Sequence, residues 1–416
     1  NIINADAIES GKITSGGQLQ RTPGIVSGWL DVATNRYTPG INGSETALNG
    51  YKVYLQWMDE DGITSPVYEA MTHDIGGTRA GQGGNGVYAF DIGEGWTDAT
   101  GKHHVYKAFK GQKYRFAIPD FTLPNGNKAT MLRQAGGFYP GVFVDTFTDN
   151  NMGQTPVVGK NIGRTGIFMA EVPVGNYMTK PKNQWITSEG NHSDPELLAV
   201  DGYNVVRGKV WIESSGGDRA NSATGPNYNQ NLGDRVAAGY KVVLSSLTSQ
   251  GAAAYRNEVQ RVPVHERAAA AKRLLTAHPE YISATVVSVV DGNGVYAAKF
   301  PNGTLDVDHI YGFVLNTKGK LVQTYSGFTS PEFRKANQNI SFVPISAPYS
   351  GVQQWANVNF AVVLSPSDTI DLHTVPYNAT DNPAAPGRRV NVKLPNGDVP
   401  PMPTHIEWRD PSGQTV

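Results

Sequence analysis

Acidic side chains cluster in two stretches of the chain, where they could bind a hard cation. Asp59 and Asp61 lie two residues apart before a glycine, and Asp145 and Asp149 lie four residues apart before two asparagines. Clustered carboxylate and amide oxygens are the ligands that Ca²⁺ prefers. Aspartate is also common in β turns because its short side chain tolerates turn geometry, so plain structural turns are the competing interpretation. From these residues we predict a structural calcium site and expect no other cofactor.

Aromatic side chains in turn-rich, glycine-flanked segments form a second set of candidates. Aromatic rings with Asn, Asp or Gln nearby suit sugar rings or extended peptides. Loops on a rigid β scaffold are frequent recognition sites. For any one of these residues, the competing interpretation is an aromatic that caps a core. The candidates for ligand binding are Phe138, Tyr139, Tyr177, Trp185, Tyr228 and Trp355.

Catalytic motifs are missing from the sequence. The chain has no cysteine, which excludes thiol enzymes and zinc ribbons, and it has no Gly-x-Ser-x-Gly nucleophile motif. His103 and His104 are adjacent, and neighbouring residues of a strand point to opposite faces. A glycosidase needs two carboxylates in one cleft, and their pairing cannot be established from sequence alone. We therefore predict that the protein is not an enzyme.

Composition and charge exclude several other classes of protein. The formal net charge is −1, so no basic excess is available to neutralise nucleic-acid phosphates. No run of 18 apolar residues could span a bilayer, and we expect no membrane insertion. The 39% of hydrophobic residues are too many for a disordered chain, whereas 47 Gly and 26 Pro disfavour a mainly helical one.

An internal repeat organises the chain. Short blocks recur in the same order, with offsets between 180 and 208 residues. Such a repeat predicts two homologous units. The matched blocks are 25–30 with 205–210, 50–55 with 239–244, 85–89 with 293–297, 114–116 with 311–313, and 167–172 with 358–363.

The strand and turn patterns between these blocks predict a mainly β protein. Short runs rich in β-branched and aromatic residues alternate with Asp-Gly and Asn-Gly turns. We expect two homologous antiparallel β-sandwich domains in tandem, Ig-like or prealbumin-like. The extra residues of the second copy are rich in helix formers, so we expect one inserted helix near 265–278.

Domain boundaries follow from the repeat and from a late rise in proline content. The predicted division is a polar lead-in at 1–20, β-sandwich domains at 21–200 and 201–375, a Pro-rich linker with a short strand at 376–404, and the start of a further β module at 405–416.

The repeated blocks also resemble a known family. Residues 25–31, 48–55, 61–62 and 85–90, with their copies after residue 205, resemble the prealbumin-like B-type modules of collagen adhesins and serine-aspartate-repeat adhesins of Gram-positive bacteria. The match covers about half of each predicted domain. The resemblance implies the N-terminal region of a secreted, wall-anchored surface adhesin. Its covalent wall link is expected outside this chain.

Three functions follow from these observations, in order of preference. The first is a non-enzymatic bacterial cell-surface adhesin head that binds a host-surface glycan or extracellular protein for attachment or biofilm formation. The second is a structural stalk segment that projects other modules. The third is a carbohydrate-active enzyme. No nucleic-acid partner is expected.

Overall fold

The computed structural model shows a mainly β protein, as predicted. It describes residues 13–14, 18–19, 24–33, 45–59, 61–76, 84–106, 111–133, 141, 143–145, 162–189, 203–213, 228–324, 329–335, 344–346, 353–355 and 358–363. We refer to residues up to 172 as the N-terminal half and to the rest as the C-terminal half. Among the described residues, no helix is long and apolar enough to cross a membrane.

The strands are numbered in chain order. Those of the N-terminal half are β1 (Ile13–Thr14), β2 (Gln18–Leu19), β3 (Ile25–Ala33), β4 (Glu45–Ala47), β5 (Lys52–Met58), β6 (Tyr68–Met71), β7 (Val87–Asp91), β8 (Trp96–Thr97), β9 (His103–His104), β10 (Lys113–Ala117), β11 (Phe121–Thr122), β12 (Lys128–Arg133), β13 (Val144–Asp145) and β14 (Ile162–Val172). Those of the C-terminal half are β15 (Ile186–Ser188), β16 (Tyr203–Ile212), β17 (Arg235–Val236), β18 (Lys241–Leu247), β19 (Ile282–Val289), β20 (Val295–Pro301), β21 (Ile310–Leu315), β22 (Leu321–Thr324), β23 (Pro344–Ser346), β24 (Gln353–Trp355) and β25 (Phe360–Val363).

Two sheets of the N-terminal half enclose a common core. One has the order β13-β10-β5-β6, and the other has the order β11-β12-β14-β3-β4 with β7 paired to β3. Side chains from both sheets, including Trp57, Phe116, Tyr88 and Ile167, are fully buried in one hydrophobic cluster. Alternation along β5, where residues 53, 55 and 57 point inward, is the period-2 pattern of a half-buried strand.

One large sheet forms the C-terminal half. Its order is β15-β19-β18-β21-β22-β25-β16-β24-β23, with β17 and β20 also paired to β16. Buried residues from distant parts of this order, such as Leu244, Val286, Tyr296 and Phe360, meet in a second hydrophobic cluster. Each half therefore has its own core. The predicted domain boundaries remain a prediction.

The repeat is visible in the hydrogen-bonding register. Gly28 of β3 lies opposite Tyr88 of β7, and Gly208 of β16 lies opposite Tyr296 of β20. In each half, the central strand also pairs in parallel with a late strand, β14 in the first and β25 in the second. These parallel pairs occur beside the antiparallel pairs that were expected. They arise because the returning strand joins the sheet after a long connection rather than through a hairpin.

The register corrects two of the sequence matches. In the first copy, Tyr114 lies opposite Trp57. The residue equivalent to Trp57 in the second copy is Ser246, and it lies opposite Ile310 rather than Tyr311. The match of 114–116 with 311–313 is therefore wrong by one residue. The match of 167–172 with 358–363 is wrong by two, because Leu30 pairs with Ile167 whereas Val210 pairs with Phe360. In the first match, Tyr311 lies next to the true equivalent Ile310 and misled the alignment, and a slip of one residue moves a side chain to the other face of a sheet.

Two α-helices lie in the described part of the chain, where one was predicted. Helix α2 (Val264–Ala277) agrees with the predicted helix, and helix α1 (Ser249–Glu258) was missed. Helix α1 begins at Thr248, whose side chain accepts a hydrogen bond from Gly251 N at 3.0 Å. Threonine is a favoured N-cap residue, and the alanines at 252–254 favour a helix after it.

The two halves contact each other through a third hydrophobic cluster. It joins Phe168 and Ala170 of β14 to Trp211, Ala361 and Val363 of the C-terminal half. Phe168 and Ala361 occupy equivalent positions of the repeat, as their pairing neighbours in β3 and β16 show. The outer faces of two equivalent strands thus form the junction between the halves.

Candidate functional site

A groove of about 920 Å³ lies between the N-terminal half and helix α2. One wall comes from β3, β4 and the segment that follows them, including Leu48, Asn49 and Tyr51. The opposite wall is helix α2, and residues 123–125 form part of the rim. Its volume lies in the upper part of the range typical of ligand pockets. We call this feature the α2 groove.

Helix α2 can approach the sheets closely because its sequence is rich in alanine. Ala268, Ala271, Leu274 and Leu275 are buried. The helix ends at Ala277, two residues before Pro279. A face of small residues brings the helix backbone near the β layer. Longer side chains of the same helix, Lys272 among them, then line the groove.

A buried polar network forms one end of the α2 groove. Glu171 Oε1 accepts hydrogen bonds at 2.8 Å from the side-chain amides of both Asn125 and Asn127. Asn127 also bonds to the hydroxyl of Tyr177. Lys272 Nζ donates to the Asn125 carbonyl oxygen at 3.0 Å and to Asn127 Oδ1 at 3.2 Å. The network therefore joins the two halves beneath the groove.

The ionisation of this network is set mainly by burial. Burial raises the pKa of Glu171, and the hydrogen bonds from Asn127 and Asn125 oppose that change. Burial likewise raises the pKa of Tyr177, whose hydroxyl remains a neutral hydrogen-bonding group. Lys272 Nζ lies 5.7 Å from the centroid of the Tyr177 ring, which adds a cation–π contact.

The side chains that line the groove are suited to binding a ligand. Its lining combines apolar surface with amides from Asn49 and Asn125 and with the basic side chains of His265, Lys272 and Arg273. Among the described residues that line the groove, Glu171 is the one carboxylate, so the groove lacks the carboxylate pair that glycoside hydrolysis needs. The ring of Tyr51 stacks on Phe121 at 4.2 Å between centroids, which holds it in place on this wall.

Among the aromatic candidates, the structure describes the side chains of Tyr177, Trp185 and Tyr228, and these three lie in separate places. Phe138 and Tyr139 lie outside the described residues. Trp355 lies in β24, beside Val206 of β16, and its side chain is not among those described. Their role in ligand binding stays a prediction.

The other three aromatic candidates have structural contacts. Tyr177 is buried in the network under the α2 groove. Trp185 is half-buried, and its ring nitrogen donates to the Lys180 carbonyl oxygen at 2.9 Å. Tyr228 is half-buried against Trp211 at the junction of the halves, with Lys209 Nζ 3.8 Å from its ring centroid. Of these three described side chains, Tyr177 is the one that lies next to the groove.

The predicted cation ligands Asp59 and Asp61 take part in ion pairs. Asp59 Oδ2 lies 2.7 Å from His104 Nδ1, and Asp61 Oδ2 lies 3.0 Å from Lys102 Nζ. Asp145 lies in β13 opposite Lys113, and Asp149 lies outside the described residues. Within the described ranges, no group of three or more His, Cys, Asp or Glu side chains is arranged to hold a metal ion. The calcium site stays a prediction.

His104 lies between two carboxylates. Besides Asp59, its Nε2 atom lies 2.8 Å from Asp98 Oδ2, and its ring stacks on Trp96 at 4.7 Å. Both ring nitrogens of His104 thus lie within hydrogen-bonding distance of a carboxylate oxygen. The hydrogen bond from His104, followed by that from Thr100, lowers the pKa of Asp98. We interpret the contacts of His104 with Asp59 and Asp98 as structural, because they link the segments that follow β5 and β8.

Sequence reasoning missed most of the groove. Residues 123–126 form one of the expected Asn-Gly turns, in which Gly126 N donates a hydrogen bond to the Leu123 carbonyl oxygen at 2.8 Å. The contact of this turn with Lys272 could not be foreseen. The available sign of this contact was Lys272, which lies between the alanine run and the leucine pair of α2. A lysine at such a position is equally typical of a solvated helix face.

Comparisons with known proteins do not identify the chain. No protein-family model matches it, and no curated protein matches it in sequence. Among solved structures, the shaft pilin SpaA of Lactobacillus rhamnosus GG is similar at 9% identity and a TM-score of 0.18, over 81% of this chain and 98% of the pilin. A putative adhesin of Bacteroides ovatus is similar at 8% identity and a TM-score of 0.15, over 85% of this chain and 96% of the adhesin.

A third similar structure is the fimbrial anchor protein Mfa2 of Porphyromonas gingivalis. It is 10% identical with a TM-score of 0.14, over 82% of this chain and 95% of the anchor protein. These scores are too low for any of the three to bear on the fold or function of this chain.

Proposed function

We propose that the chain is the ligand-binding head of a bacterial surface adhesin and that the α2 groove receives its ligand. The observation that carries this proposal is the groove itself, which is about 920 Å³ in volume and is walled by both halves of the repeat. Its mixed lining of aromatic, amide and basic groups suits a host-surface glycan or an extended segment of an extracellular protein. The resemblance of the repeated blocks to adhesin modules supports the same function.

The proposed head acts without catalysis. It is secreted and contributes to attachment or biofilm formation, with its covalent link to the cell wall outside this chain. A ligand bound in the groove would contact helix α2 and the N-terminal half at the same time. Because the polar network holds these two walls together, the groove is preorganised for binding.

Binding measurements on a groove-filling variant test this proposal. The purified protein is applied to a glycan array and to immobilised extracellular matrix proteins. Ala277 is exposed and lines the groove, so Ala277→Trp should place an indole in the ligand's path and reduce binding at least tenfold. Ala253→Trp is the matched control, because Ala253 is an exposed alanine of the other helix away from the groove.

The proposal is contradicted if neither screen yields a ligand and cell adhesion survives deletion of this region. It is also contradicted if both tryptophan variants bind a found ligand as tightly as the unaltered chain does.

A structural stalk segment is the second candidate function. The junction at Phe168 and Trp211 favours it, because buried contacts between the halves hold them in a fixed arrangement. A stalk role predicts that deletion shortens the surface fibre while ligand specificity is unchanged.

A further inference from the structure

A second pocket, of about 440 Å³, lies on the other side of the helices from the α2 groove. It is formed by α1, by α2 and by residues 332–335, and we call it the arginine pocket. Three arginines line the pocket: Arg256 from α1, Arg267 from α2 and Arg334 from residues 332–335. Lys335 also lines it. No feature of the sequence had pointed to this pocket, because its residues come from three separate parts of the chain.

Positive charge exceeds negative charge in this pocket. Its described lining contains four cationic side chains and two carboxylates, Asp308 and Glu332. Lys335 Nζ lies 3.3 Å from Asp308 Oδ1, and an Arg334 terminal nitrogen lies 3.6 Å from Glu332 Oε1. These two pairs account for both carboxylates, so the charges of Arg256 and Arg267 are in excess.

Arg267 is held in place by neutral acceptors. Its guanidinium donates to the main-chain carbonyl oxygens of Val262 at 3.1 Å and of Gln260 at 3.0 Å. These bonds orient the group without neutralising its charge. One further acid lies close by, Asp306, which accepts from His309 Nδ1 at 2.9 Å and interacts electrostatically with Arg256. Counting Asp306, the pocket and its rim hold four Arg and Lys side chains against three carboxylates.

Arg334 is the buried cation of the pocket. The residue is 6% exposed, and its main chain pairs with Ile310 of β21, which fixes its position. Burial lowers the pKa of Arg334, since the charged guanidinium loses its hydration there. A bound anion would offset that loss by charge-assisted hydrogen bonds.

We propose that the arginine pocket binds an oxyanion, either a carboxylate or a phosphate, carried on a small organic molecule. Guanidinium groups match the geometry of both anions through paired hydrogen bonds. A volume of about 440 Å³ exceeds what a bare ion requires and falls in the range of small-molecule sites. An acidic or phosphorylated monosaccharide has the required size and charge. This site is separate from the α2 groove, so the inference does not depend on the proposed adhesin function.

Calorimetric titration with defined sugars tests the site. The probes are glucuronate for a carboxylate, glucose 6-phosphate for a phosphate, and glucose as the neutral control. We expect at least one charged sugar to bind, with affinity falling as salt is raised, and glucose not to bind. Comparing the two charged probes distinguishes carboxylate from phosphate recognition.

Arginine variants test whether the charged sugar binds in the arginine pocket. Arg256 is exposed, so Arg256→Gln should fold normally and weaken binding about tenfold, the equivalent of one charge-assisted hydrogen bond. Arg267→Gln should have a similar effect. Arg273→Gln is the matched control, because Arg273 is an exposed arginine of the same helix that lines the α2 groove instead.

Two results would overturn the inference. One is that neither charged sugar binds more tightly than glucose. The other is that a charged sugar binds but Arg256→Gln and Arg273→Gln weaken it equally, since that would place the anion outside the arginine pocket.

Discussion

The ammonium group of Lys272 lies 3.0 Å from the carbonyl oxygen of Asn125, so a helix of the C-terminal half is bonded to a turn of the N-terminal half. The same nitrogen lies 3.2 Å from Asn127 Oδ1. The contact joins residues 147 positions apart in the chain and lies at one end of the α2 groove. It makes the groove a property of both halves rather than of either one.

Replacing Lys272 should loosen this connection. We expect Lys272→Met to lower the free energy of unfolding by about 2 kcal/mol, the usual cost of losing hydrogen bonds from a charged group. Urea unfolding at pH 7 measures the change. Arg273→Met alters the exposed neighbour and should stay within about 0.5 kcal/mol of the unaltered protein. Equal losses in both variants would show that the Lys272 contacts do not stabilise the fold.

Glu171 should make stability depend on pH. Because burial raises the pKa of Glu171 in the folded state, its ionisation opposes folding. The carboxyl has no effect below its unfolded pKa of about 4.3, and it costs increasing stability as the pH rises from there through the folded pKa. Glu171→Gln retains an oxygen acceptor for the two asparagines and cannot ionise.

Urea unfolding between pH 4 and pH 8 checks this expectation. Glu171→Gln should match the unaltered protein near pH 4 and gain relative stability as the pH rises. The exposed Glu258 provides the control, and Glu258→Gln should show no such trend. A constant difference between Glu171→Gln and the unaltered protein across the range would refute the role assigned to burial.

Gly208 should tolerate no side chain. A Cβ atom at Gly208 would overlap the carbonyl oxygen of Val358, the same oxygen that accepts from the Tyr296 hydroxyl at 2.7 Å. We expect Gly208→Ala to cost about 3 kcal/mol, because main-chain atoms of a central strand must move. Thermal unfolding measures this loss.

The equivalent glycine of the first copy, Gly28, allows the same experiment in the N-terminal half. Gly28 has the same relationship to the carbonyl oxygen of Thr165, which accepts from the Tyr88 hydroxyl, so Gly28→Ala should be similarly costly. Gly292 has no atom within 4 Å of an added Cβ, and Gly292→Ala serves as the tolerated control. If Gly28→Ala and Gly208→Ala unfolded as the control does, the close approach of the strands would be disproved.

Asp98 should stabilise the protein in its ionised form. Its Oδ2 atom bonds to His104 and its Oδ1 atom accepts from Thr100 N and Lys102 N, and these bonds lower its pKa. The contribution is present above the unfolded pKa of about 3.9 and is lost as the pH falls through the lower folded value. Asp98→Asn should therefore destabilise the protein at pH 7, and the difference should narrow below pH 4.

Asp74 provides the comparison for Asp98, because its described hydrogen bond comes from a main-chain N–H group and not from a histidine. Asp74 is exposed and accepts from Gly76 N at 2.9 Å, so Asp74→Asn removes a turn carboxylate of similar geometry. It should change stability less than Asp98→Asn at pH 7. A larger loss in Asp74→Asn would contradict the importance of the contact with His104.

Some of these features were predictable because they depend on nearby residues. Helix α2 was predicted from its run of helix formers and the proline that follows, and both signals act within a few residues. The turn at 123–126 was predicted from its Asn-Gly pair for the same reason. The repeat revealed the central strands of both halves, because the glycine and the tyrosine that lie opposite each other fall within matched blocks of the two copies.

Strand register could not be predicted from the sequence where it depends on partners in other strands. Tyr114 was matched to Tyr311 on identity, whereas hydrogen bonding to β5 and β18 makes Ile310 its equivalent. Both Tyr114 and Ile310 are buried in the cores of their halves. Residue identity is a poor guide there, because a core position selects for apolar volume and the inward face rather than for one residue type.

The sequence by itself determined a β-rich, cysteine-free, duplicated chain with one helical excursion in its second copy, since composition, turn chemistry and repeats act locally. Tertiary structure alone decided where the pockets are. Lys272 meets Asn125 across 147 positions, and Arg256, Arg267 and Arg334 converge from three segments. Side chains this far apart become neighbours only when the strands and helices that carry them pack, so no local pattern records their contact.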